Sequence, residues 1–328
     1  MEVGEEMCEI GRRERRVGEG RREKGDGKRY NVRCNAERES ALRKIRYICT
    51  MKLIIDSGAT KADWCLMEGG RIVRRFKTAG MNVSVLTPEE VAAIAREAAD
   101  GLEGPEVREA YLYAAGLIEG SDAAVQAVKA VSEAFGGASV EGASDMLAAA
   151  RAACGRSEGV CAILGTGSNS CLYDGSAIIH TVRSGGFILG DEGGGACLGK
   201  LFIADFIKGL VPEPLASEFG SAFEVDYMTI VRRVYKEPAP SAYLGSFAPW
   251  ILEHRGHPYV DGLVERNLTD FFERSLLRHG RRDLPAGFVG GFAAACEPQL
   301  RAVAQRCGVR ISRILASPMD GLVEYHSI

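Results

Sequence analysis

Lys52-Leu53-Ile54-Ile55-Asp56-Ser57-Gly58-Ala59-Thr60-Lys61 and, much later in the chain, Val160-Cys161-Ala162-Ile163-Leu164-Gly165-Thr166-Gly167-Ser168-Asn169 follow one plan. Each is a short apolar run, read as a buried strand, that breaks into a turn rich in glycine and hydroxyl side chains. Glycines let the backbone approach a ligand, and consecutive amides at such a turn point inward and make a concave anion site. Two such turns on two strands suggest one polyanionic tail gripped from both sides. Neither turn fits G-x-x-x-x-G-K-[ST] or G-x-G-x-x-G.

The pattern around the first turn reads as strands at 52–56, 62–68 and 71–78, with Glu68-Gly69-Gly70 as a hairpin turn. Thr87 is placed to cap a helix that opens on Pro88 and ends near Asp100-Gly101. A strand at 109–114, a helix capped by Ser121, a strand near 139–141 and a helix from Ser144 to Ala153 complete the first half. The second half restarts with strands at 159–164, 170–173 and 177–182, then a glycine-rich stretch from Gly185 to Gly195. A mainly helical region follows, roughly 196–278. A buried strand at 287–289 then runs into Gly290-Gly291 and a helix to about Arg306, a strand at 310–315 and a short last helix at 321–325. The two halves repeat an architecture, not a string of letters.

These motifs resemble the actin-like ATPase superfamily, and within it the N-acetylglucosamine kinase group, also called the BadF/BadG/BcrA/BcrD-type ATPase family. The resemblance spans about residues 51–328 and rests on an ordered set: Asp56–Lys61, Gly80-Met81-Asn82, Ala114-Ala115-Gly116, Asp145, Gly165–Asn169, Gly185–Gly195 and Gly290-Gly291. It implies an α/β, two-lobed actin-like (ribonuclease H-like) fold with ATP in the interlobe cleft. It also implies Mg²⁺ on the phosphates, and phosphate transfer to the 6-hydroxyl of an N-acetylhexosamine, N-acetylglucosamine first among them. The lobes expected are 51–143, completed by a C-terminal helix over 315–328, and 144–314.

Phosphoryl transfer requires aligned reactants, a metal across the phosphates and a base for the attacking hydroxyl. The resemblance makes Asp56 the metal-associated carboxylate, and Mg²⁺ needs only one or two such ligands. Read locally, Asp56 is an Asx turn. Ser57, Gly58, Ala59, Thr60 and Lys61 form the first phosphate loop. Lys61 is equally readable as a solvated strand residue, and Ala62 stands where the family often has a second hydroxyl. Gly165, Thr166, Gly167 and Ser168 form the second loop, which alone would pass for a hairpin turn. Asp145 is the implied general base, although an Asp behind a Ser cap is also favoured by the helix dipole. The resemblance makes Gly190, Asp191 and Glu192, with Asp145 and Asn82, the sugar side, and carboxylates and amides do bond hydroxyls directionally. Gly190–Gly193 could otherwise be a flexible surface loop. Gly290 and Gly291 are the implied adenosine contact.

Other features add less. His254 and His257 are separated by Gly256 and followed by Pro258, so no helix aligns them for a metal. The Cys-rich zinc motif of the related ROK kinases is missing, and no structural zinc is expected. The ten cysteines contain no C-x-x-C pair and read as reduced, cytosolic, mostly buried thiols. The net charge of −3 gives no reason to expect nucleic acid, and no apolar run is long enough for a membrane. Residues 1–50 carry 14 basic and 10 acidic residues and no apolar period. They read as a flexible or non-native leader, with Met51 opening the fold. The family resemblance carries the expectation of a homodimer. Two rivals share the fold: an activator ATPase of the 2-hydroxyacyl-CoA dehydratase type, which needs exposed cysteines for a cluster, and a non-catalytic sugar sensor.

Overall fold

The computed structural model describes residues 51–58, 61–102, 106–223 and 225–327. The expectation for residues 1–50 and the loop positions Ala59 and Thr60 lie outside the described residues.

The first sheet contains β1 (Met51–Ser57), β2 (Lys61–Glu68), β3 (Arg71–Ala79), β4 (Val107–Ala114) and β5 (Ser139–Ser144) in the order β3-β2-β1-β4-β5. β2 pairs antiparallel with both β1 and β3, whereas β4 and β5 continue parallel to β1. The second sheet repeats this plan with β6 (Gly159–Leu164), β7 (Ser168–Tyr173), β8 (Ile178–Val182), β9 (Ala286–Val289) and β10 (Ile311–Leu315), ordered β10-β9-β6-β7-β8. Again two pairings are antiparallel and two parallel. Strand for strand, β6 takes the place of β1 and β9 that of β4. The repeat of architecture read from the sequence is a repeat of topology.

Crossovers between parallel strands require helices. In the first half these are α1 (Pro88–Asp100) and α2 (Asp122–Ala134). Thr87 and Glu90 close a capping box on α1, and Ser121 caps α2. The helix α3 (Asp145–Cys154) follows β5. In the second half come α4 (Gly186–Leu189), α5 (Gly195–Phe206), α6 (Leu215–Ala222), α7 (Tyr227–Tyr235), α8 (Pro240–Gly245), α9 (Ala248–Glu253) and α10 (Pro258–Arg274). After β9 the chain forms α11 (Gly291–Ala295) and α12 (Glu297–Arg306), and after β10 it ends in α13 (Met319–His326). The single helix expected from Gly291 to Arg306 breaks at Cys296, just ahead of Pro298 in the first turn of α12, since proline cannot continue the ladder of the preceding helix.

The helix after the fifth strand of each sheet crosses to the other sheet. α3 leaves β5 and packs Met146, Ala149, Ala150 and Ala153 against Cys161, Cys171, Tyr173 and Val289 of the second sheet. α13 leaves β10 and packs Met319 and Leu322 on Ile54, Cys65, Met67 and Tyr113 of the first. Each large apolar side chain so buried contributes about 1.5–3 kcal/mol. Where the two helices cross, a Cβ on Gly321 would lie 2.4 Å from the Ala152 carbonyl oxygen, so only glycine allows the approach.

The end of α13 is fixed by a buried histidine. His326 lies 2.8 Å from the Tyr113 hydroxyl and stacks on Tyr111 at 3.8 Å. Burial, with Arg151, Lys52 and Arg156 nearby, pushes its pKa down to about 3. In the second sheet His279 contacts Ser170 and His180, each at 2.9 Å. Burial, then His180, pushes its pKa down to about 4. An unfolded histidine titrates near 6.5, so below that pH the unfolded chain binds more protons than the folded one. Stability is therefore full above about pH 6.5 and is lost as pH falls toward the folded values. Each histidine should cost about 1 kcal/mol between pH 7.5 and 5.5. The gap in unfolding stability between wild type and His326→Gln should therefore change by about 1 kcal/mol across that range. An unchanged gap would exclude His326 as a source.

Candidate active site

Parallel strands in each half end on the same edge of their sheet, so the turns that follow them gather there. In the first sheet this edge carries Asp56–Gly58 after β1, the 80–85 segment after β3, Ala115–Gly116 after β4 and Asp145 after β5. These turns are tied together. The Ala115 amide donates to the Ser57 carbonyl at 2.8 Å and the Val83 amide to the Ala115 carbonyl at 3.1 Å. The Met81 amide donates to the Ser57 hydroxyl at 2.6 Å. Ser57 is fully buried, and its hydroxyl serves this brace.

Asp56, Ser57, Gly58, Lys61 and Asp63 from the first sheet line a cleft of about 350 Å³ together with Asp145. Gly165, Thr166, Val289 and Gly290 from the second sheet close its other side. The two glycine turns quoted at the outset and the Asp145 carboxylate thus share one cavity. Gly165 and Thr166 also line a second cavity of about 500 Å³, with Gly291, Phe292, Gly245, Ala248 and Leu252. The two cavities meet at the Gly165-Thr166 turn. One is acidic and flanked by backbone amides; the other is lined mainly by apolar side chains and glycine.

Three carboxylates concentrate in the first cavity. Asp56 and Asp63 are direct cross-strand partners on β1 and β2. Burial first, then the charges of Asp63 and Asp145, push Asp56 up to about 7. Its carboxylate accepts no hydrogen bond among the described residues. Such a group holds a proton or a cation. Asp145 is half-buried at the first position of α3, behind the Ser144 cap, and its Oδ1 accepts from the Met146 amide at 2.8 Å. Burial raises its pKa more than that hydrogen bond lowers it. Asp63 escaped the sequence reading because a lone acid in β2 resembles a solvated strand position. Its signal is an acid inside the otherwise apolar run Ala62-Asp63-Trp64-Cys65-Leu66-Met67.

The second turn is clamped from behind. Gly195 and Ala196 amides donate to the Gly165 and Thr166 carbonyls, each at 2.8 Å. Thr166 is exposed, with its side chain free to meet a ligand. Gly167 and Ser168 do not line the two cavities. Ser168 is buried at the start of β7, and its amide lies 3.4 Å from Asp191 Oδ1. At this turn the cavities are thus lined by Gly165 and Thr166.

Of the residues expected on the sugar side only Asp145 lines these cavities; Asn82, Gly190, Asp191 and Glu192 do not. Asn82 Oδ1 accepts from the Ser84 amide at 3.1 Å and hydroxyl at 2.7 Å, which orients the side-chain amide and leaves its NH₂ group as the donor. Gly190 and Asp191 are buried and Glu192 is nearly so, which excludes a loose surface loop. Asp191 adopts φ +57°, and burial raises its pKa. Five of the described cysteines are buried; Cys154 and Cys307 are partly exposed. His254 bonds the Trp250 carbonyl, and His257 caps α10 through the Tyr259 amide. No helix among the described residues is long and apolar enough to cross a membrane.

No family model and no curated protein matches the chain. Solved structures do. The chain is similar to a candidate N-acetylglucosamine kinase from Porphyromonas gingivalis, with 40% identity and a TM-score of 0.81 over 84% of this chain and 99% of that one. A candidate N-acetylglucosamine kinase from Chromobacterium violaceum matches at 19% identity and TM-score 0.67, over 84% and 98%. A ROK family glucokinase from Streptomyces griseus, solved with glucose and AMPPNP, matches at 18% and TM-score 0.50, over 84% and 97%. The last two speak for the fold alone, which is the two-lobed actin-like α/β fold.

Gly290 offers a direct check on the junction. Its φ is +129°, and an added Cβ would lie 2.2 Å from the Leu164 carbonyl oxygen. Gly290→Ala should cost about 2–4 kcal/mol in thermal or denaturant unfolding. Gly291→Ala, which meets nothing within 4 Å, should leave folding stability unchanged. Equal effects of the two would contradict the packing.

Proposed function

The chain belongs to the N-acetylglucosamine kinase family of ATP-dependent, actin-like sugar kinases, and on that premise we propose that it phosphorylates an N-acetylhexosamine, N-acetylglucosamine in the first instance, at the 6-hydroxyl. One observation carries this reading: both glycine turns and Asp145 line a single cleft that continues into an apolar cavity. The triphosphate of ATP would lie between the turns at Gly58 and at Gly165-Thr166. The adenosine would extend over Gly291 and Phe292 toward Ala248 and Leu252.

Each residue then has a physical task. Gly58, Gly165 and Thr166 supply close backbone approach and a hydroxyl to the phosphates. Lys61, exposed on the cleft wall, supplies a mobile positive charge. Asp56 and Asp63 present the carboxylates that would hold Mg²⁺, directly or through water, and the metal would neutralise phosphate charge. The raised proton affinity of Asp56 fits that role, because a carboxylate with no hydrogen-bond partner gains most from a cation.

Asp145 would act as the base. Its raised proton affinity suits a group that must take a proton from a sugar hydroxyl. Asn82, Asp191 and Glu192 would bind the other hydroxyls and fix the acceptor oxygen near the terminal phosphate. Closure of the cleft would expel water and spare ATP from hydrolysis.

Asp145→Asn should lower kcat at least about 10²-fold while nucleotide affinity stays unchanged, since only the proton acceptor is lost. Coupled ADP release over a panel of N-acetylglucosamine, N-acetylmannosamine, N-acetylmuramic acid and glucosamine, with nucleotide titration alongside, measures both. Retained turnover in the variant removes Asp145 as base. No sugar-dependent ADP release from the wild type overturns the kinase reading.

A further inference from the structure

Asp191 occupies a backbone conformation that L-residues other than Asn and Asp seldom adopt. Something outside the turn must hold it there. Three side chains from two helices do so. Asn267 of α10 accepts from the Gly193 amide through Oδ1 at 2.9 Å and donates through Nδ2 to the Gly194 carbonyl at 3.1 Å. Arg274, two helical turns along the same helix and so on the same face, pairs its Nε with Glu192 at 3.0 Å. Lys200 of α5 donates to the Phe187 carbonyl at 2.8 Å.

Asn267 is fully buried, and its neighbours on that face of α10 are Val264, Leu268 and Phe271. An amide there costs stability unless both its ends are bonded. Both are, and both partners belong to the turn. The same face packs Phe271 and Phe272 against Phe288 of β9, next to the strand that ends in Gly165. α10 therefore sets the position of Asp191-Glu192 relative to the second phosphate turn.

We infer that Asn267 and Arg274 are positioning residues for sugar recognition, holding Asp191 and Glu192 in binding geometry before the sugar arrives. This rests on the assignment of Asp191 and Glu192 to the sugar. Neither residue lines the nucleotide cavities. Arg274 reaches the turn through Glu192 alone, so its loss should weaken the sugar alone, whereas Asn267 also bonds Gly194 next to the Gly195 amide that clamps the second phosphate turn.

The test is steady-state kinetics of Asn267→Ala, Arg274→Met and Arg274→Lys with N-acetylglucosamine and ATP varied separately, alongside calorimetric titration of the sugar and thermal unfolding. Asn267→Ala and Arg274→Met should raise the sugar KM about tenfold, the scale of one lost charge-assisted or buried hydrogen bond. In the Arg274 variants the ATP KM should not move, and Arg274→Lys should recover most of the loss. Arg274 is largely exposed, so its variants keep the test open if Asn267→Ala does not fold. Sugar and ATP KM rising together in Arg274→Met, or a folded Arg274→Met with unchanged sugar KM, would overturn the inference while wild-type turnover still upheld the kinase. A wild type that neither binds nor turns over an amino sugar would overturn both.

Discussion

The crossing of α3 and α13 is the constraint on which the cleft depends. Each helix begins at the edge of one sheet and buries its apolar face on the other. The two sheet edges are thereby held opposite each other, and the glycine turns they carry face a common space. The contact at Gly321 and Ala152 is close enough that the crossing point cannot drift without overlap. A polar knot adds to it: Arg151 of α3 bonds the Tyr113 hydroxyl at 2.7 Å, and its guanidinium sits over the Tyr325 ring of α13.

Within the cleft the governing effect is the burial of carboxylates, only partly offset by Lys61 on the same wall and by Lys77, which pairs with Asp63 at 3.5 Å. Asp56, Asp63 and Asp145 line a partly dehydrated space in which burial outweighs the single backbone hydrogen bond to Asp145. A cation beside these acids would offset the cost of burying them charged. The cavity beyond Thr166 is mainly apolar and on the proposed reading would take the adenosine. On the far side of the second turn the electrostatics differ: Arg274 and Lys200 offset Glu192 and Asp191, so that region arrives already balanced and already ordered.

Much of this was legible in the letters. The strand-turn pairs at Asp56 and Gly165, the caps at Thr87, Ser121 and Ser144, and the doubled strand order all follow from local pattern, because period and cap chemistry are set by neighbours in the chain. Other features were not legible. Asp63 enters the cleft through its register with Asp56 across two strands, which no local pattern announces. Asn267 belongs to an apolar helix face, where only its polarity marks it, and its purpose depends on a turn some seventy residues earlier. Ala248 and Leu252 line the apolar cavity from a stretch that reads only as helical. Nor does the sequence announce that the Ser57 hydroxyl accepts from the Met81 amide, or that the Ser168 amide faces Asp191.

What the amino-acid sequence determined by itself was the set of elements and the chemistry of their ends: strands breaking into glycine turns, a carboxylate at a helix start, and a glycine-rich segment bearing two acids. These depend on contacts within a few residues, and the chain carries them wherever it goes. Only the tertiary structure decided which ends meet. Pairing register and the crossing of two helices are long-range packing choices, fixed by side chains fitting across the core, and they alone placed two distant turns and three acids around one cavity.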